Sequence, residues 1–245
     1  MNTNRLSVTF ALIILNVVVF AVGLVVQRPA LLGIAIPNSP ENSSVMEIVG
    51  AYSFFTCFMK GQLWRLITYQ FVHANFGHLL FNMWALYFFG PAAENVFGPR
   101  KFLAFYLCCG VAGAFFSTLL ASCGLYVSLT EASQPLITLL ADYAGYDGMV
   151  QPWQMMPMVG ASAAIYGVMV AVAFLYPHVR ISLLFPPVTL TMRAFAISVI
   201  LLASAIVLFN GSNAGGEAGH LGGILMGAVL MLLWKWKNRC GGSYD

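Results

Sequence analysis

Six stretches of this chain are too apolar and too poor in charge to be covered by water, and this limits what it can fold into. They run approximately over 7–26, 76–92, 102–121, 156–176, 194–209 and 218–234. Crossing a hydrocarbon core of about 30 Å takes roughly 20 apolar residues in a helix. Charged residues make up only 8% of the 245, and 60% are apolar, whereas a soluble domain carries roughly 25% charged residues. A chain so poor in charge cannot solvate a folded surface, so its outside must meet lipid. The expected fold is therefore all-α and integral to the membrane, with six transmembrane helices in a single domain over 1–245. The first stretch is longer than a signal-peptide core and no small-residue cleavage site follows it, so it is read as a retained span.

Charge placement predicts the orientation. With both termini cytoplasmic, the inner segments hold Arg5, Arg100, Lys101, Arg180, Arg193, Lys235, Lys237 and Arg239. The outer segments then hold only Arg28, Lys60 and Arg65. Basic residues favour the inside, and the opposite topology inverts this bias. The net charge of +3 is small and no basic stripe is present, so no nucleic-acid partner is expected. The five cysteines show no C-x-x-C spacing and suggest no metal site. Cys108 and Cys109 read as packing residues, while Cys57 and Cys123 fall on or near the outer side, where pairing is open to them. Between residues 28 and 75, Phe54, Phe55, Phe58 and Trp64 mix with Lys60 and Arg65, a composition suited to a structured piece at the membrane interface.

Polar groups at membrane depth are costly and mark function. Ser162, His220 and His78 each lie 14 residues before the expected inner end of their span, about 21 Å at 1.5 Å per residue. That places all three in one layer near the outer face. Gly219, Gly223 and Gly227 repeat at four-residue spacing, and Gly160, Ala161, Ala163, Ala164 and Gly167 surround Ser162. Small residues let helices approach closely, which a serine and its base require. The same residues also suit plain helix packing.

The strings Gly160-Ala-Ser162-Ala-Ala-Ile-Tyr166-Gly167, His220-Leu-Gly-Gly223-Ile-Leu-Met-Gly227, His78-Leu-Leu-Phe-Asn82, Trp64-Arg65 and Gly90-Pro-Ala-Ala-Glu94 together resemble the rhomboid family of intramembrane serine proteases, over roughly Gly61 to Gly227. The resemblance implies a rhomboid-like six-helix bundle, with Ser162 as nucleophile and His220 as general base. It also implies that His78, Asn82 and the Ser162 N–H receive the oxyanion, with Tyr166 supporting the imidazole in a dyad that needs no acid. Glu217, the nearest carboxylate, is expected in the outer loop, and residues 210–217 as a flexible cap. His73 reads as structural and His178 as solvated in an inner loop.

No metal or organic cofactor is implied. The expected partners are the lipid bilayer and transmembrane protein substrates cut in or near their spans. The compact chain without a transit peptide points to a bacterial inner membrane. Ala163 stands where the family commonly has Gly, and the 122–155 loop is long for the family. The first departure keeps a catalytically inactive, client-binding relative as the alternative. A transporter is a further alternative, but no repeat symmetry is visible to support it.

Overall fold

The computed structural model describes residues 7–26, 45–126, 152–182, 187–211 and 213–240. Most of the 122–155 loop with Glu131, Asp142 and Asp147, together with Arg5, Arg28 and Pro186, lies outside the described residues. The described chain is mostly helical. The longer helices among the described residues are α1 (Val8–Val25), α4 (Phe76–Phe97), α5 (Pro99–Ser122), α6 (Ser162–Leu175), α7 (Met192–Leu208) and α8 (Ala214–Cys240). Two short helices, α2 (Val45–Gly50) and α3 (Arg65–Thr68), lie between α1 and α4. Strands β1 (Arg180–Ser182) and β2 (Thr189–Thr191) form an antiparallel ribbon between α6 and α7. By length and apolarity, α1, α5 and α8 can each cross a membrane, while α6 and α7 are shorter apolar helices.

The helix ends have local causes. Ser7 caps α1 by accepting from the Phe10 N–H, Asn75 caps α4 at His78 and Thr191 caps α7 at Ala194, as short polar side chains do at helix starts. Helix α4 runs five residues beyond the expected 92, straight through Pro91. An interior proline removes a donor and disfavours helix in the residue before it, yet Pro91 does not end the helix here. The actual break is Gly98, with φ +75°, followed by Pro99 in the first turn of α5, a glycine-then-proline order that suits a helix end meeting a helix start.

Two further boundaries change the site. Residues 156–161, expected as the start of a span, are not helical, and α6 begins at Ser162. Met158 instead pairs with Tyr52 as an isolated antiparallel bridge, and the Gly160 N–H donates to the Tyr69 carbonyl at 2.9 Å. Gly160 has φ +117°, a conformation open to glycine and costly for residues with a Cβ. At the other boundary, α8 begins at Ala214 rather than 218. The expected cap therefore shortens, and Glu217 belongs to the first turn of a helix.

The core is built by close approach of α5, α6 and α8. Around it pack Leu86, Phe102, Tyr106, Cys109, Ala164, Val168, Ala171 and Met231, all buried. A Cβ placed on Gly227 would fall 2.8 Å from the Gly167 carbonyl oxygen, and one on Gly223 would overlap the Ala163 carbonyl. These contacts are backbone to backbone, the geometry that small-xxx-small spacing permits. Facing outward are Ile14, Phe81, Trp84, Leu201, Leu202, Phe209, Leu232 and Trp236. So much exposed apolar surface matches a lipid-facing exterior rather than an aqueous one.

Helix α1 is fastened to α4 by one carboxylate. Glu94 accepts from the N–H groups of Val8 and Thr9 at 2.7 and 2.9 Å, and from the Thr9 hydroxyl at 2.7 Å. These are first-turn donors without intrahelical acceptors, at the positive end of the helix dipole. Gly90 makes room, since a Cβ there would fall 2.6 Å from the Thr9 methyl.

The described part of the segment between α1 and α4 is structured, and Arg65 is not on its surface. It is fully buried and donates to the carbonyls of Ala51 and Ile48 and to Gln62. Trp64 is exposed, and Lys60 lies 5.5 Å over the Phe55 ring. Cys57 and Cys123 are both free thiols; Cys109 is buried as expected of a packing residue, whereas Cys108 is exposed.

Candidate active site

Ser162 opens α6 and His220 lies in the second turn of α8. The close approach of these helices at Ala163–Gly223 and Gly167–Gly227 brings Ser162 Oγ within 2.7 Å of His220 Nε2. This is hydrogen-bond reach for a nucleophile and its base. Tyr166, one turn along α6, stacks on the imidazole with ring centroids 4.0 Å apart and planes within 14°. Such a face-on contact fixes the plane of the ring while leaving both nitrogens free to bond.

The His220 Nδ1 edge meets Glu217. Nδ1 and Glu217 Oε2 are 2.9 Å apart, across one turn of the same helix. The His220 side chain is 11% and that of Glu217 15% exposed, so neither is fully bathed in water. Sequence reasoning missed this contact because it started the helix only at Ala218, leaving Glu217 in the preceding loop. The available signal was the i, i+3 spacing, which puts two side chains on one face once the helix extends that far.

The Ser–His pair opens onto a cavity of about 370 Å³ lined by Tyr69, His78, Met158, Gly160, Asn213 and Gly216 among others. His78 reaches it from α4: a Cβ on Gly160 would fall 2.7 Å from the His78 ring. Asn82, one turn on, is buried, and its Nδ2 has no hydrogen-bond partner among the described residues. A buried amide donor left open is costly unless something binds there. Because Ser162 is the first residue of α6, its N–H and the two after it have no acceptor within the helix, and the dipole there favours negative charge. The methyl of Ala163 is directed at α5, where a Cβ on Gly113 would fall 2.5 Å from it.

His73 packs edge-on to His78 at 5.1 Å. Its pKa is pushed down to about 4, first by burial and then by the neighbouring His78. His73 therefore stands there as a neutral, buried ring. His178 is exposed, beyond the end of α6 and away from the cavity. Among the described residues no group of three or more His, Cys, Asp or Glu side chains is placed to hold a metal ion.

The arrangement defines a class: a helical membrane protein with a hydrogen-bonded serine and histidine at an internal cavity. The Rhomboid domain family matches residues 60–237, and the chain belongs to the rhomboid family. It is 32% identical over 182 residues to the protein named "Putative rhomboid protease YdcA" of Bacillus subtilis, covering 74% of this chain and 71% of that one. It is 30% identical over 174 residues to RHOMBOID-like protein 12, mitochondrial, of Arabidopsis thaliana, covering 70% and 46%. Rhomboid protein 1, mitochondrial, of Saccharomyces cerevisiae is 31% identical over 165 residues, covering 67% and 40%. The chain thus spans less than half the length of these two mitochondrial relatives. With bacterial and mitochondrial proteins both among them, the likeness does not select the bacterial inner membrane expected from the sequence.

Proposed function

We propose that this protein is an intramembrane serine endopeptidase that hydrolyses peptide bonds in or near transmembrane segments of other membrane proteins. The observation that carries this reading is the 2.7 Å contact between Ser162 Oγ and His220 Nε2 across two separate helices, at the mouth of a polar cavity. Ser162 Oγ attacks the scissile carbonyl while His220 Nε2 takes its proton. The tetrahedral oxyanion is received by the Ser162 N–H, the His78 ring and the Asn82 amide. His220 then returns the proton to the leaving amine, and a water activated by the same imidazole releases the acyl group. A single oxyanion donor is typically worth ~2.7–4 kcal/mol. Tyr166 supports the base by holding its plane.

The proposed frame is a single rhomboid-type domain with α1, α4, α5, α6, α7 and α8 as six spans. Both termini are cytoplasmic and the cavity opens outward, as the basic-residue bias favours. A bacterial inner membrane is the proposed location. The substrate helix has all its backbone bonds satisfied internally and must unwind before its carbonyl reaches Ser162, so Gly, Pro and small residues near the cut are expected. Entry beside α7 is favoured by its loose packing. Only Met192, Ala196, Ala203 and Val207 of that helix are buried. Ala163 was the reason to weigh an inactive, client-binding relative, and its methyl packing toward Gly113 favours the active reading instead.

The test is cleavage of a model transmembrane substrate by purified protein in detergent. Wild type is expected to cut and to react with a fluorophosphonate at Ser162, and Ser162→Ala to do neither. A silent wild type without labelling would move the client-binding reading to the front.

A further inference from the structure

We infer that Glu217 is a third, positioning member of the catalytic group, making a Ser162–His220–Glu217 relay in place of a bare dyad. This rests on the protease reading above. A neutral imidazole carries its proton on one nitrogen only, and Ser162 can be deprotonated only by a ring whose Nε2 is bare. A carboxylate accepts and does not donate. With Glu217 Oε2 at 2.9 Å from Nδ1, the Nδ1–H donates to Glu217, and Nε2 is left as the acceptor facing Ser162 Oγ at 2.7 Å. The same carboxylate stabilises the imidazolium formed as the proton moves from Oγ to Nε2.

Tyr166 cannot do this work. Its ring lies flat on the imidazole, so it restrains tilt but not rotation within the plane or the choice of tautomer. The two supports are complementary, one acting on the ring face and the other on its edge. The contact depends on α8 starting at Ala214, which places Glu217 and His220 one turn apart on a shared face.

The experiment compares wild type, Ser162→Ala and Glu217→Gln on the model substrate, reading kcat and KM separately, with fluorophosphonate labelling rate and melting temperature alongside. Glu217→Gln is expected to lower kcat and the labelling rate roughly 10–100-fold, as loss of a group that orients a catalytic ligand or base does, with KM within about twofold by the transition-state logic of such losses. If kcat of Glu217→Gln stays within twofold of wild type, the relay is overturned while the protease reading stands. If wild type neither cuts nor labels, both fall.

Should the variant fail to fold, the wild-type protein still decides. Nitrogen NMR of the His220 ring, assigned by its loss in His220→Asn, is expected to show protonated Nδ1 and bare Nε2. Protonated Nε2 as the main tautomer would overturn the relay.

Discussion

His73 is a titratable ring beside the site whose burial shapes how stability depends on pH. Burial holds it neutral, with its pKa near 4 against an ordinary 6.5. Between those values the unfolded chain binds a proton that the folded protein does not. Stability is therefore full above about pH 6.5 and falls as pH drops toward 4, by up to about 3 kcal/mol from this group. His73→Phe is expected to flatten that part of the profile, measured as denaturant midpoint against pH in detergent. An unchanged slope in the variant would mean that another group titrates there. The family resemblance marked His73 as structural. Its neutrality follows from neighbours that fold around it.

At the scale of elements, two fasteners carry the arrangement, and each has a single weak point. Glu94→Gln keeps the shape of the side chain but removes the charge that three donors of α1 share. The expected loss is about 1–3 kcal/mol, in line with hydrogen bonds to charged groups. Thermal unfolding should fall and the Val8 and Thr9 amides should exchange faster; unaltered exchange would show that α1 is held by other means.

Gly223→Ala tests the approach of α6 and α8. Its methyl would overlap the Ala163 carbonyl, so the helices must part. Overpacking of this kind costs typically 1–3 kcal/mol, and separating the Ser–His pair should abolish fluorophosphonate labelling along with lowering the melting temperature. Retained labelling would mean the helices adjust without moving the pair. The glycine spacing was legible from the sequence, whereas the partner of each glycine was not, because spacing names a face and not what lies against it. The helix starts were the weaker part of the reading. Apolar composition continues through residues 156–161, while Gly160 and the Tyr52–Met158 bridge break the helix there.

For the whole molecule the prediction concerns orientation. In a background with the other cysteines removed, Cys123, exposed just past the end of α5, should react with a membrane-impermeant maleimide from the outside. A His178→Cys probe in a cysteine-free protein should react only after the membrane is opened. The reverse pattern would overturn the proposed topology.

What the sequence determined was the solvent and the chemistry. Charge scarcity and apolar run lengths call for a helical membrane protein, because no other surface could be covered, and the five motif strings led to the family and to Ser162 and His220. Those are properties of composition and order, which survive without knowing a single contact. The tertiary structure decided what depends on contact. It started α6 at Ser162, on the lining of the cavity, and it extended α8 back to Ala214. Glu217 thereby came from an expected loop to the Nδ1 edge of His220, a placement set by where a helix begins and by which helices pack beside it.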